Sequence, residues 1–465
     1  MTISGENTII ITNILVGEVW VASGQSNMGS PVSSLQNAAE VLSKSDDPQL
    51  RFFTVAKNTA AEPQYSLKGK WELSSPDNAK GFSAVAYFFA RDIREKLKCP
   101  VAILHASWGG TSIETWISLN GLKQTPPITK MLDLWGKALE QYHKTQANPQ
   151  LLTDYQTDLK QWQTEVSPPF NKVMKAYNDS VASGKKVGPK PQPSRPEPTN
   201  PDPMGMPGPS KRPGTPTVNF NGMIAPLIPY AIRGVLWYQG ENNGSAGMEY
   251  RTLMPRLIED WRNHWKQTGA AKDFPFIYVQ LPSNGPDATP VADKGWPFLR
   301  EAQLMSLKVP KTGMAITIDI GDPKNVHPAD KIDVGQRLSR IARKIAYGEN
   351  IIASGPLYKD FAIEKGGKMR IRFRETGSGL TIGQSPWYAP SVEPFPKNKL
   401  IGFFMAGDDK KWVEADAKID GQSVIVSSPQ VVKPKAVRYG WANSPRCNLY
   451  NKEGLPASPF RTDVE

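Results

Sequence analysis

Leu15-Val16-Gly17-Glu18-Val19-Trp20-Val21-Ala22-Ser23 runs directly into Gly24-Gln25-Ser26-Asn27-Met28. The first part is an apolar run of the length of a buried strand, and the second is a polar turn entered through glycine. Glycine accepts backbone angles that a side chain resists, so a serine can be held in a tight turn at a strand end. Several hydrolase folds expose a nucleophile in this way. A Gly-x-Ser turn is also an ordinary strand-to-helix loop, so its chemistry depends on what else the chain brings to the same place.

Outward from this stretch the pattern repeats. Pro100-Val101-Ala102-Ile103-Leu104-His105, Gly234-Val235-Leu236-Trp237-Tyr238, Phe276-Ile277-Tyr278-Val279-Gln280-Leu281 and Met314-Ala315-Ile316-Thr317-Ile318-Asp319-Ile320 read as further buried strands. Between the first two, Phe82 to Ile93 is apolar at helical spacing and then turns charged through Arg94-Glu95-Lys96. Continuous apolar strands separated by helical segments predict a parallel sheet covered on both faces, an α/β fold with polar loops at the carboxyl ends of the strands. The expected division is an N-terminal strand segment at 1–13, a main domain at 14–350 and a small β-rich domain at 351–465. The N-terminal segment can pack with the β-rich domain. The latter shows short alternating runs such as Met369-Arg370-Ile371-Arg372-Phe373 and Ser423-Val424-Ile425-Val426, with Gly366-Gly367 and Asp420-Gly421 as turns. An insertion at about 124–218 lacks strand signal. It is helical first and proline-dense from Pro189 to Pro216, which predicts an extended surface excursion, either passive or a cap over the site rim.

Composition narrows the function classes. The chain has 465 residues, 39% hydrophobic, with 13 tryptophans, which suits a folded protein with a large core. No run reaches the about eighteen apolar residues of a membrane span. The net charge of +12 is dispersed apart from a small cluster around Lys185-Lys186, and no zinc-finger or RNA-binding motif accompanies it, so no nucleic-acid partner is expected. Cys99 and Cys447 are too few for a cysteine-rich scaffold or a Cys-type metal cluster. The start Met1-Thr2-Ile3-Ser4-Gly5-Glu6-Asn7 lacks the basic and apolar stretches of a signal peptide, so the protein is either cytoplasmic or without its leader.

A serine hydroxyl needs a neighbouring base, usually histidine, to attack at neutral pH. The four histidines are His105, His143, His264 and His327. His143 lies in the polar insertion and His264 in an amphipathic helix, which makes both surface or packing residues. His105 ends a strand ahead of Ala106-Ser107-Trp108-Gly109-Gly110-Thr111, near the site or within its framework. His327 follows the strand-end loop Gly321-Asp322-Pro323-Lys324-Asn325-Val326, a place for a catalytic base or for a histidine that caps the next helix. Gly109-Gly110 offers backbone N–H groups that can approach a reacting carbonyl oxygen. Gln239-Gly240-Glu241-Asn242-Asn243 ends the third strand; its amides can donate to the same oxygen, and Glu241 can orient a partner or form a structural bond.

Taken in order, Gly24 to Met28, His105 to Thr111, Trp237 to Glu241 and His327-Pro328 resemble the sialate O-acetylesterase family within the SGNH (GDSL-like) hydrolases. Phe220 to Pro226, Lys331 to Arg337 and Asn448 to Pro456 match as well, so the resemblance covers most of the chain outside the proline-rich insertion. It implies an SGNH-type three-layer fold and a carbohydrate esterase that removes O-acetyl groups from sialic acid or a related glycan through a serine acetyl-enzyme, without cofactor or metal. Acetylxylan, another glycan or a lipid-like ester is the alternative substrate, and an inactive carbohydrate-binding homologue the alternative class. A periplasmic or secreted location is implied too, while the oligomeric state is not indicated. The resemblance makes Ser26 the nucleophile, His327 the base, and the N–H groups of Ser26 and Gly110 with the Gln239 side chain the oxyanion hole. Gln25, Asn27, Trp108, Glu241 and Asn242 are the expected substrate contacts. The chain departs from the pattern where SGNH enzymes place an aspartate two or three residues before the histidine: Asn325 and Lys324 stand there. The acid is then Asp322 or Asp319, a backbone carbonyl replaces it, or the pair works as a dyad.

Overall fold

A short hairpin of β1 (Thr2–Ser4) and β2 (Thr8–Ile10) precedes β3 (Glu18–Gly24), the strand that the opening apolar run predicts. The computed structural model describes all residues except 126–128, 184, 186, 209–210, 286–294, 384–395 and 464–465; Lys186 of the basic cluster lies outside the described residues. β3 is flanked by β6 (Val101–Ser107) and β7 (Gly234–Tyr238), after the pair β4 (Asp47–Thr54) and β5 (Trp71–Ser74). With β8 (Phe276–Val279) and β9 (Thr312–Ala315), the strand order among the described residues is β5-β4-β6-β3-β7-β8-β9. All neighbours pair in parallel except β4 and β5.

β4 and β5 escape a reading based on continuous apolar runs because they lie toward the sheet edge. β4 alternates, burying Leu50 and Phe52 while its other residues keep partial or full exposure. The central strands carry no such alternation because both of their faces are covered. Trp20, Ala22, Leu236, Tyr238, Ile277 and Val279 point to a core shared with the helices Ala84–Leu97 and Ile332–Ile345. Trp20 meets Phe89 edge-on at 5.0 Å. On the opposite face Trp237 packs on Trp261 of the helix Gly247–Trp265, at 5.9 Å. Helix Ala84–Leu97 starts where Ser83 accepts the Ala86 N–H (3.1 Å) and stops at Lys98, which adopts φ 55°.

After β3 the chain crosses toward β4, whereas after β7 it crosses the other way to β8. The carboxyl ends of β3 and β7 therefore border a topological switch point, the usual place for a ligand crevice in an open α/β sheet.

Residues beyond 350 form antiparallel sheets. One has the order β10 (Leu357–Glu364), β11 (Lys368–Arg374), β16 (Ser423–Ser427), β15 (Asp416–Asp420). β12 (Leu380–Ile382) pairs with β18 (Leu449–Asn451), and β13 (Phe403–Ala406) lies between β14 (Val413–Glu414) and β17 (Ala436–Tyr439), with β19 (Phe460–Arg461) beyond. Their period of two buries Met369, Ile371 and Phe373 on β11. The hairpin β1–β2 joins none of these sheets; in the segment that follows it, Asn13 accepts from Arg51 of β4 through its carbonyl (2.6 Å) and Oδ1 (2.7 Å).

By their contacts these strands belong with the parallel sheet in one unit, which comprises 1–57, 68–113 and 228–465. Arg300, fully buried on the helix Trp296–Met305, is one fastening. Its guanidinium donates to the carbonyls of Leu281 (2.8 Å) and Pro282 (2.7 Å) after β8, and to Ala442 (2.7 Å) and Asn443 (2.7 Å) after β17.

The second unit, 58–67 with 114–227, contains the helices Thr129–Ala147, Gln150–Glu165 and Ser167–Ala182. The proline-dense segment folds back on them rather than standing free. Trp162 donates its indole N–H to the Arg195 carbonyl (2.9 Å), and Thr145 its hydroxyl to the Pro201 carbonyl (2.8 Å). Asn221, in the Phe220 to Pro226 segment, donates to the carbonyls of Ala60 (3.1 Å) and Ala61 (2.8 Å).

Arg300→Met strips four buried carbonyls of their donor while keeping the apolar stem. The variant should lose about 3 kcal/mol or more of stability in chemical denaturation; unchanged stability would mean that the guanidinium is not the fastening.

Candidate active site

The geometry begins at Gly24, whose φ of +132° and approach to β7 exclude a side chain: a Cβ there would stand 2.1 Å from the Tyr238 carbonyl oxygen. Two main-chain bonds lock the turn between its neighbours. Gln25 N–H donates to Tyr238 O (2.9 Å) and Trp108 N–H donates to Gly24 O (3.0 Å). Ser26 then opens the short helix Ser26–Gly29, half-buried at the strand end.

His327 arrives from a loop 301 residues away and sets Nε2 2.8 Å from Ser26 Oγ. Its pKa lies below the ordinary 6.5, first because of burial and second because of the nearby Lys331 ammonium. The imidazole is thus neutral at neutral pH and can accept a proton. The loop is shaped locally: Asn325 Oδ1 accepts the His327 backbone N–H (2.9 Å), and Asp322 Oδ1 accepts the Lys324 N–H (2.8 Å).

Neither candidate acid is bonded to the His327 ring. Asp322 spends its carboxylate on that turn. Asp319 is buried in a two-point pair with Arg337 (2.6 and 2.8 Å) and accepts from the Tyr450 hydroxyl (3.2 Å). Among the described residues, no carboxylate is hydrogen-bonded to His327.

The glycine pair after β6 lies beside Ser26. A Cβ on Gly109 would come 3.1 Å from Ser26 Cβ, so the loop passes directly beside the serine, and Gly110 takes φ +74°. Among the hydrogen bonds of the described residues, the N–H groups of Ser26, Gly109 and Gly110 have no protein acceptor.

Gln239 does not join them. It is fully buried, and Nε2 donates to Thr111 O (3.1 Å) and Asn243 Oδ1 (2.7 Å), while Oε1 accepts from the Tyr250 hydroxyl (2.9 Å). Both amide hydrogens serve protein acceptors, so the residue braces the loop after β6 instead of facing a ligand.

The expected substrate contacts fare similarly. Gln25, 4% exposed, accepts the backbone N–H groups of Gly240 (3.4 Å) and Asn242 (3.2 Å) through Oε1. Asn27, 0% exposed, donates from Nδ2 to Glu241 Oε1 (2.5 Å) and Val326 O (2.9 Å), and accepts from Lys331 Nζ (2.8 Å) through Oδ1. Gln25 Oε1, the Asn27 amide and Glu241 Oε1 thus serve as framework, bonded inside the protein, while Glu241 Oε2 is buried without a hydrogen-bond partner among the described residues. Burial raises the Glu241 pKa, opposed by the Asn27 bond and by Lys331. Trp108 is buried, with Lys57 Nζ 5.5 Å above its ring, and Asn242 alone of the five is exposed.

Ser26, Gly109 and His327 line a cavity of about 590 Å³ together with Lys57, His105 and Ser107. His105 Nε2 is 2.8 Å from Ser107 Oγ, and its pKa is pushed down to about 4 by burial and then by Lys57, so it forms a neutral polar wall. His264 sits 3.5 Å from Asp260 on its own helix, and the His143 ring lies 5.5 Å from Tyr142. Lys57 and Lys331 were missed as site residues in the sequence. Lys331 left a trace in the segment Lys331 to Arg337, whereas Lys57 left none.

A family model described as carbohydrate esterase, sialic acid-specific acetylesterase matches residues 221–344, which include Gln239, Glu241 and His327. The chain is 30% identical to a sialate O-acetylesterase of Rattus norvegicus over 98% of its own length and 79% of that protein. It is 28% identical to the Homo sapiens protein of the same name, over 97% of this chain and 76% of that one. Among solved structures, a carbohydrate acetylesterase from Xanthomonas citri superposes with a TM-score of 0.73 at 31% identity, covering 99% of this chain and 84% of the other. Likeness sustained over nearly the whole chain is more than a shared sheet: this protein is an esterase and belongs to the sialate O-acetylesterase family.

Proposed function

We propose that this protein removes O-acetyl groups from sialic acid or a related glycan through a serine acetyl-enzyme. The observation that carries the mechanism is the 2.8 Å contact between Ser26 Oγ and His327 Nε2 at the mouth of a cavity. Ser26 Oγ attacks the acetyl carbonyl carbon while His327 Nε2 takes the hydroxyl proton. The carbonyl oxygen becomes an oxyanion that the N–H groups of Ser26 and Gly110 can receive. Collapse expels the sugar oxygen, which takes the proton back from His327. Water, deprotonated by the same imidazole, then attacks the acetyl-enzyme; collapse breaks the bond to Ser26 Oγ, which takes the proton back from His327, and acetate leaves.

Lys57 supports an acidic sugar. Among the described residues lining the cavity it alone carries a permanent charge, and it has no ion-pair partner among the described residues. An ammonium at the rim suits the carboxylate of a sialic acid, and the net charge of +12 draws anions toward the protein. A glycan substrate is met outside the cytoplasm, which supports a periplasmic or secreted enzyme. No described helix is long and apolar enough to cross a membrane.

Ser26→Ala should abolish release of acetate, and the native enzyme should give a burst of alcohol from an activated acetate ester. Near-normal turnover in the variant would remove Ser26 from the mechanism. The acid limb of kcat/KM should have its midpoint below 6.5, because burial and Lys331 disfavour the imidazolium and only neutral His327 accepts a proton. A midpoint above 6.5 would contradict that electrostatic account. Lys57→Met should raise KM for O-acetylated sialic acid about tenfold more than for a neutral acetylated sugar. An equal change for both would rule out the carboxylate contact.

A further inference from the structure

Lys331, the first residue of the Lys331 to Arg337 segment, is an unusual residue to bury. It is 2% exposed, and burial lowers its pKa to about 8 against the pull of Glu241 and Asp330. Its ammonium donates to two acceptors, Asn27 Oδ1 at 2.8 Å and the Pro328 carbonyl. Asn27 in turn donates to the Val326 carbonyl at 2.9 Å and to Glu241 Oε1 at 2.5 Å. The two pinned carbonyls belong to the residues on either side of His327, and Asn27 immediately follows Ser26.

We infer that Lys331 is a positioning residue for the Ser26–His327 pair, acting with Asn27 as a clamp on the main chain that flanks the histidine. A triad acid orients its histidine through the far ring nitrogen. Here the backbone on both sides of the ring is held instead, and the holding side chain is the direct neighbour of the nucleophile. One amide therefore couples the turn after β3 to the loop after β9. A lysine suits the position because its ammonium reaches two oxygens at once, and Glu241 on the far side of Asn27 offsets the buried charge. The same cation faces His327 and disfavours its protonated form; no other charged group among the described residues is found to act on that ring.

The inference rests on Ser26 and His327 as the reacting pair, and His327→Ala tests that reading separately, since it should remove turnover whatever the clamp does. For the clamp, Lys331→Met should lower kcat by about 10- to 100-fold, with KM changed by less than about threefold, as expected for a base displaced by a fraction of an ångström. The acid limb of kcat/KM should move to higher pH as the neighbouring cation is removed, a change that loosened packing alone would not produce. Asn27→Ala should cost a similar factor, and the double variant should lose far less than the product of the two, because both act through one network. Near-ultraviolet circular dichroism checks the fold. If Lys331→Met does not fold, Lys331→Met with Glu241→Gln, which removes both buried charges, carries the same measurements. A folded variant with native kcat and an unmoved acid limb, or multiplicative losses in the double variant, would overturn the proposal.

Discussion

The site depends on how β3 leaves the sheet. Gly24 brings its backbone so close to β7 that no side chain fits, and main-chain bonds on either side tie the turn to Tyr238 and Trp108. These bonds bring three strand ends to one point: Ser26 after β3, Gly109-Gly110 after β6 and the Gln239 loop after β7. Parallel pairing makes this possible, since it sends neighbouring strands out of the sheet on the same side. The polar groups around the turn then largely serve each other. Gln25, Asn27 and Gln239 are buried and hold the loops in register, while Ser26 and Gly109 line the cavity.

The electrostatics differ from those of a carboxylate-backed histidine. A carboxylate at the far nitrogen would stabilise the imidazolium formed during attack and raise the pKa of the base. In this protein the charge that acts on His327 is the Lys331 ammonium, which works in the opposite direction. The histidine stays neutral to lower pH, at the cost of less help for the charged intermediate. Hydrogen bonds that pin Val326 and Pro328 provide orientation through the backbone. Asn325 and Lys324, standing where an aspartate is expected, fit this arrangement: Asn325 shapes the turn by accepting the His327 N–H, and the Lys324 N–H is taken by Asp322.

Much of the fold was legible because both faces of the central strands are covered. Trp20, Leu236 and Ile277 lie in continuous apolar runs for that reason, and the runs mark strands without any alignment. β4 and β5 were not legible, since edge strands mix exposed and buried residues and β4 lacks a continuous run. β9 ends at Ala315, earlier than its apolar run; beyond it the Thr317 hydroxyl donates to the carbonyl of Gln280, just past β8, at 2.5 Å. The proline-dense stretch holds no helix or strand among its described residues; what composition does not reveal is its attachment to helices through Trp162 and Thr145.

By itself the sequence determined the α/β class, the serine in its glycine turn, the glycine pair and the one histidine placed on a strand-end loop, because each follows from local residue type and spacing. Which polar residues face the cavity and which are consumed inside the framework was decided only by tertiary structure. Gln239 reads as an oxyanion donor until Thr111 and Asn243 are seen to take both of its hydrogens. Lys331 stands in the sequence only as the first residue of a matching block until its ammonium is found beside Asn27, 304 residues away in the chain. A hydrogen bond between distant segments leaves no periodic trace in either, so its partners appear only when the fold brings them together.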